Sequence, residues 1–301
     1  MLSSHYPSRC VSRTSKPRRP LRHGIIAIAT CLLTLTACSS VNFAYNSAPG
    51  LIANEFDDAF NLTRAQNDQL ESALEQFFAW HRREELPRYQ RLLADAAQVA
   101  TDGLSSAEFA HILREVRSAW HRAAGQLIQR IGHLATTLTP AQIEHFRHYD
   151  ARQRDDYYSE YLELNSEERR TYRAEQGLER LERWYGSFDR KLESRIIERL
   201  QALPDTWDIW QQYRTIRTET MLRTIATSTD PETATEALRS LLLNPDHPAT
   251  RDLEPARAAY WQAYGEMLEE INAWVSPEQR QQAVEQLQKY AQMVAEIDPQ
   301  N

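Results

Sequence analysis

The residues of this 301-residue chain that could do chemistry begin with its histidines. Six of nine lie between 81 and 148: His81, His111, His121, His133, His145 and His148. His145 and His148 are one helical turn apart with Glu144 and Asp150 nearby, a spacing that could place ligands on one side of a helix. Glu108-Phe109-Ala110-His111 has the Glu-x-x-His spacing of di-iron bundles, but those need the motif twice plus two more inward glutamates. No second copy occurs. The expectation is scattered surface or half-buried histidines and no metal site, with a metal-binding helical bundle as the alternative. Catalytic grammar is missing too. There is no Gly-x-Ser-x-Gly elbow and no His-Glu-x-x-His, and the three cysteines are confined to positions 10, 31 and 38. The chain therefore reads as a non-enzyme.

The densest mixture of aromatic and charged side chains is Trp80-His81-Arg82-Arg83-Glu84-Glu85-Leu86-Pro87-Arg88-Tyr89. Tryptophan, tyrosine and arginine are the usual anchors of interfaces. The run therefore gives a candidate binding face at Trp80, His81, Arg82, Arg83 and Tyr89, with Tyr157, Tyr158 and Tyr161 as a second. The competing reading is helix-to-helix ion pairing around a proline kink, with Trp80 lining the core beside Leu70, Ala73 and Phe77. The tripeptide Trp-His-Arg recurs at 120–122.

Cys38 is a third chemical group. A head with six basic residues and no acid precedes an apolar run from Gly24 to Leu35, and Leu35-Thr36-Ala37-Cys38 follows. Basic region, apolar core and small residues form the order of a secretory signal. About a dozen apolar residues are too few to cross a bilayer, which takes about 20. Leucine at the fourth position back and small residues before a cysteine resemble the bacterial lipobox. That resemblance implies cleavage after residue 37, a covalent diacylglycerol on the Cys38 thiol and an N-acyl lipid (palmitate or similar) on the new amino terminus. More than one acyl chain gives stable anchoring. Ser39 in place of aspartate favours the outer membrane, periplasmic face, over inner-membrane retention. Arg18-Arg19 suggests twin-arginine export, but Pro20-Leu21-Arg22 fits that pattern poorly.

Losing the leader removes six positive charges and takes the formal charge from −7 to −13. So acidic a chain is a poor partner for nucleic acid, whose recognition needs local cationic density. With one cysteine left, no internal disulfide can form, and eight scattered glycines make no phosphate cradle. Leu, Ala, Glu, Gln and Arg dominate, the strong helix formers.

Five local signals mark helix starts: Leu62-Thr63-Arg64-Ala65-Gln66, Leu104-Ser105-Ser106-Ala107-Glu108, Leu138-Thr139-Pro140-Ala141-Gln142, Leu164-Asn165-Ser166-Glu167-Glu168 and Val275-Ser276-Pro277-Glu278-Gln279. Each pairs a capping side chain with Glu or Gln three residues on, the capping box. Their spacing is too irregular for a solenoid. Between them the apolar residues recur at helical spacing. Phe109, Ile112, Leu113, Val116, Trp120, Ala123, Leu127, Ile131 and Leu134 trace one core stripe. Leu253 to Trp274 traces another, expected to face Val284, Leu287, Ala291 and Val294. Pro87 should kink or break its helix. Gly186, Leu203-Pro204-Asp205 and Asn244 to Pro248 read as boundaries.

The resulting expectation is an all-α antiparallel bundle of about eight or nine helices after a cleaved signal peptide. It divides into signal 1–37, lipidated cysteine and tether 38–61 with a small helix at 51–60, main bundle 62–243, and a C-terminal helical pair 244–301 packed on it.

Two resemblances add to this. Tyr45-Asn46 after the lipobox, the 62–66 box, the 80–89 run and the 275–279 start resemble a bacterial lipoprotein family of unknown function, DUF6279, which implies a helical periplasmic lipoprotein and no stated activity. Leu62-Thr63-x-x-Gln66 and Leu138-Thr139-x-x-Gln142 are similar to the paired motifs of the Spy and CpxP periplasmic proteins, which implies a chaperone or stress-response modulator as an alternative. The expected function is a non-enzymatic binding or scaffold protein of the cell envelope. Its expected partners are the membrane, through the lipid anchor, and a protein or other envelope component; the expected cofactor is none.

Overall fold

A computed structural model of the chain describes residues 38–162 and 164–297, with side chains from 41–155 and 164–297. The expected signal at 1–37, the Cys38 side chain and those of Tyr157, Tyr158 and Tyr161 lie outside the described residues. The helices are α1 (Cys38–Phe60), α2 (Arg64–Trp80), α3 (Leu86–Thr101), α4 (Ser106–Ile131), α5 (Pro140–Leu162), α6 (Ser166–Tyr185), α7 (Arg190–Gln201), α8 (Trp207–Thr227), α9 (Pro231–Leu243), α10 (Glu254–Trp274) and α11 (Pro277–Ala295). No strand occurs among the described residues, so the fold is all-α as expected.

All five capping boxes form. Thr63, Ser105, Asn165 and Ser276 each accept from the backbone N–H three residues on while that residue's side chain takes the cap N–H. Thr139 and Gln142 do the same at the head of α5. Each cap contributes on the order of 1 kcal/mol. Gly186, at φ +77°, ends α6, and Asp189 caps α7.

Pro87 does not break its helix. α2 passes into α3 through one turn of π-helix, His81–Glu85, in which the Leu86 N–H reaches back to the His81 carbonyl. A proline interior to a helix loses the bond to the carbonyl four residues back. The wider turn shifts the hydrogen-bond register just before Pro87, so the rod continues through it.

The apolar residues gather in three clusters. The first joins α6, α7 and α10 through Leu181, Ile196, Met267 and Ile271. The second joins α1, α2 and the end of the chain through Val41, Tyr45, Leu70, Leu74, Phe77 and Ile297, with Leu127 and Ile131 of α4 against it. The third joins α4, α5, α8 and α9 through Ile128, Ile143, Leu222 and Leu238. Where α4 crosses α10, a methyl group at Gly265 would come within 2.8 Å of the Phe109 ring, so this crossing favours glycine.

Three expectations are corrected here. The segment read as a tether with a short helix is one continuous helix, α1, already buried at Val41 and Tyr45. It carries Pro49 internally, and the packing of its first turns outweighs that defect. The stripe read as core along α4 is covered only in part: Val116 is 49 % and Trp120 60 % exposed. Helical spacing reports one apolar side but not whether a neighbour reaches every turn of it. Finally, α11 does not fold back along α10. Its main partner is α3, with α6 second, while α10 lies on α4 and α7.

Candidate functional site

The π turn gathers most of the aromatic and charged run into a half-buried cluster around the fully buried Glu85. Its register places His81 toward α1 and Glu85 toward α4. The Tyr45 hydroxyl lies 2.8 Å from His81 Nδ1. The imidazole sits among Phe77, Phe78, Trp80 and Tyr89, with Tyr89 edge-on at 5.3 Å between ring centroids. Burial disfavours the charged ring and lowers the His81 pKa to about 4, against an opposing pull from Glu85. Burial likewise pushes Tyr45 far above its ordinary range and Tyr89 up to about 12, so both phenols keep their protons.

Glu85 is fully buried and carries two arginines. Arg88 Nη1 donates to its Oε1 at 2.8 Å, and Arg122 of α4 grips both oxygens, Nε at 2.9 Å and Nη2 at 3.1 Å. This fork is the strong, bidentate form of the pair. Arg82 turns back to α1, donating to Asn46 Oδ1 at 2.8 Å with its guanidinium 5.2 Å from the Tyr45 ring centre. Trp80 is half-buried, with Arg130 at 5.9 Å from its ring centre. Arg83 points outward, paired with Glu84 at 3.0 Å, and Pro87 and Arg88 are exposed as well.

The structure therefore assembles Trp80, His81, Arg82 and Tyr89 as the junction of α1, α2, α3 and α4, and leaves Arg83 on the outside. This matches the ion-pairing reading of the run rather than an open recognition face. Chemically the junction binds a neutral imidazole to a protonated phenol and holds a carboxylate between two guanidinium groups, while the buried Arg82 Nε has no hydrogen-bond partner among the described residues. Sequence reasoning did not single out Tyr45, Glu85 and Arg122 as partners. The one signal present was the repeated Trp-His-Arg, whose second arginine is the residue that reaches Glu85.

A second buried polar contact joins the two Leu-Thr-x-x-Gln boxes. Gln142 Nε2 donates to Gln66 Oε1 at 2.8 Å, and Gln66 Nε2 approaches Gln142 Oε1 at 3.4 Å. Each amide also crosses to the other's loop, Gln66 to the Thr137 carbonyl at 2.9 Å and Gln142 to the Asn61 carbonyl at 3.1 Å. The boxes thus cap their own helices and tie the two helix starts together.

The other histidines disperse. His145 Nε2 contacts the Asp58 carbonyl at 3.1 Å, His148 faces Glu144 at 3.3 Å, and Glu108 is taken by its capping box. Asp150 turns to Arg154 and Arg214. Among the described residues, no three His, Cys, Asp or Glu groups converge on a point that could hold a metal ion.

Among the described residues, large apolar side chains stand exposed on α1 at Phe43 and Leu51, in the middle of α4, and at Trp210 of α8. On α4, Val116 and Trp120, one turn apart, stand in solvent among exposed Arg114, Glu115, Arg117 and His121. Open grooves elsewhere are shallow, one lined by Asp68, Gln69, Ser72, Gln76, Arg130 and His133. Among the described residues no helix is long and apolar enough to cross a membrane.

A family model described as a family of unknown function (DUF6279) matches residues 58–253, which spans α2 to α9 and includes His81, Glu85 and Arg122. No curated protein and no solved structure matches the chain.

Proposed function

The chain belongs to the family of unknown function DUF6279, and from that premise we propose that it is a lipid-anchored, non-enzymatic binding protein of the cell envelope. It is acylated at Cys38, held at the periplasmic face of the outer membrane, and takes a protein partner on α4. The observation that carries the binding reading is the uncovered turn Val116–Trp120, lying in mid-stripe on a helix whose two ends are locked into the core. A tryptophan with an arginine beside it is the usual composition of an energetic anchor. The partner this face suits offers an apolar pocket for Trp120 and an acidic group for Arg117, three residues before it on the same side of the helix. Anchoring supports the same reading, because tethering both molecules to one membrane raises their effective concentration.

Two measurements test this. Metabolic labelling with a fatty acid should mark the wild type and not Cys38→Ala; equal labelling of both removes the anchor. Affinity capture from envelopes should recover a partner with the wild type and lose it with Trp120→Ala. Because Trp120 is exposed, that change should alter stability by no more than about 0.5 kcal/mol. Undiminished capture by a folded Trp120→Ala protein would move the binding face elsewhere.

A further inference from the structure

The bundle leaves one stripe of α1 bare. Phe43, Asn46, Gly50, Leu51 and Asn54 are exposed and recur at helical spacing. Phe43 is 74 % and Leu51 57 % exposed, and a methyl group at Gly50 would meet nothing within 4 Å. The opposite side, with Val41, Tyr45 and Ala53, is buried in the core. The bare stripe carries no charge: from Cys38 to Asn54 there is no Asp, Glu, Lys or Arg, in a chain otherwise rich in acids. Of the acids that follow, Glu55 is engaged by the Tyr149 hydroxyl and Asp57 by the Leu62 N–H, and exposed Asp58, one turn beyond Asn54, marks the end of the uncharged stripe. The cation nearest the stripe is Arg82, bonded to Asn46.

We propose that this stripe lies on the bilayer surface, so that α1 runs along the membrane and the bundle is held in one orientation. The inference rests on the reading that Cys38 is acylated. Cys38 is the first residue of α1, and Val41 is already buried, so about 4.5 Å of helix rise separates the anchor from the packed body. No flexible spacer remains to let the bundle swing away. An acidic body is repelled by anionic headgroups, and the uncharged stripe beside the anchor is the side that escapes this repulsion. From Phe43 to Asn54 the stripe is about 16 Å long. Its phenylalanine and leucine suit the acyl boundary, and its asparagines suit the headgroups, as in helices that lie in the interface plane.

The test uses the full-length protein matured in cells, purified and reconstituted into vesicles of phosphatidylethanolamine and phosphatidylglycerol. A fluorescent amino acid is placed at position 43, at 51, or at exposed position 179 on α6, which packs on α7 and α11. Mass spectrometry of the same preparations reads the state of Cys38. The expected result is an acylated Cys38 with iodide quenching several-fold weaker at 43 and 51 than at 179, and no such difference before vesicles are added. Acylated protein quenched equally at all three positions overturns the docking and leaves the anchor standing. An unmodified Cys38 overturns the anchor and the docking together. Shielding already present without vesicles would place another protein surface on the stripe and likewise overturns it.

Discussion

His81 should make the stability of this fold fall in mildly acidic solution, over a window set by its surroundings. In the unfolded chain a histidine titrates near 6.5; inside the junction of Tyr45, Phe77, Phe78 and Tyr89 its pKa is lowered to about 4. A proton taken up preferentially by the unfolded state favours unfolding as pH falls. The His81 contribution is therefore fully present above pH 6.5, declines as pH drops from 6.5 towards 4, and changes little further below that. The gap between the two values corresponds to about 3 kcal/mol, a large share of the 5–15 kcal/mol typical of a whole domain. The perturbation is His81→Gln, which keeps a hydrogen-bonding group for the Tyr45 hydroxyl and cannot titrate. Urea unfolding of residues 38–301, carrying Cys38→Ser and followed by circular dichroism at several pH values, gives the stability of both proteins. The variant should be the less stable at pH 7, and the difference should shrink or reverse towards pH 4. A difference that stays constant from pH 7 to pH 4 would refute the reasoning, because His81 would then titrate alike in both states.

The same junction ranks its two arginines. Arg122→Ala removes the bidentate partner of a fully buried carboxylate and should destabilise by about 3 kcal/mol; Arg88→Ala removes a single bond from a half-exposed side chain and should cost about 1 kcal/mol, and equal losses in chemical denaturation would contradict this geometry. Gln66→Ala and Gln142→Ala should be coupled, with a double-mutant cycle giving about 1 kcal/mol, since each amide serves the other; strict additivity would mean the two boxes act separately.

The parts of the fold written within a few residues were legible in the sequence. Thr63 and Gln66, Ser105 and Glu108, or Ser276 and Gln279 declare a helix start by local chemistry alone, and all of them form. Pro87 announced a disturbance but not its kind, because a π turn and a break relieve the same missing hydrogen bond. Contacts between distant segments were not legible. Tyr45 meets His81 across 36 residues and Arg122 meets Glu85 across 37, and nothing in either neighbourhood names the other. The run 80–89 therefore reads first as helix-to-helix ion pairing around a proline and second as an open face, and its residue types do not name the partners of either. Periodicity misled along α4 for a related reason: Trp120 falls on the same apolar stripe as Leu127, yet only Leu127 has a helix over it. The pairing of α11 with α3 rather than α10 lies beyond such reasoning too, since apolar stripes on helices carry no address.

The central claim is that α4 presents a partner-binding turn on an anchored helical bundle. It is tested most directly by photocrosslinking in living cells from position 117, between Val116 and Trp120, with position 83 on the π turn for comparison. The expected result is a discrete adduct from position 117 that disappears with Trp120→Ala and survives Trp120→Phe. No adduct from position 117, or one indifferent to Trp120, would contradict it.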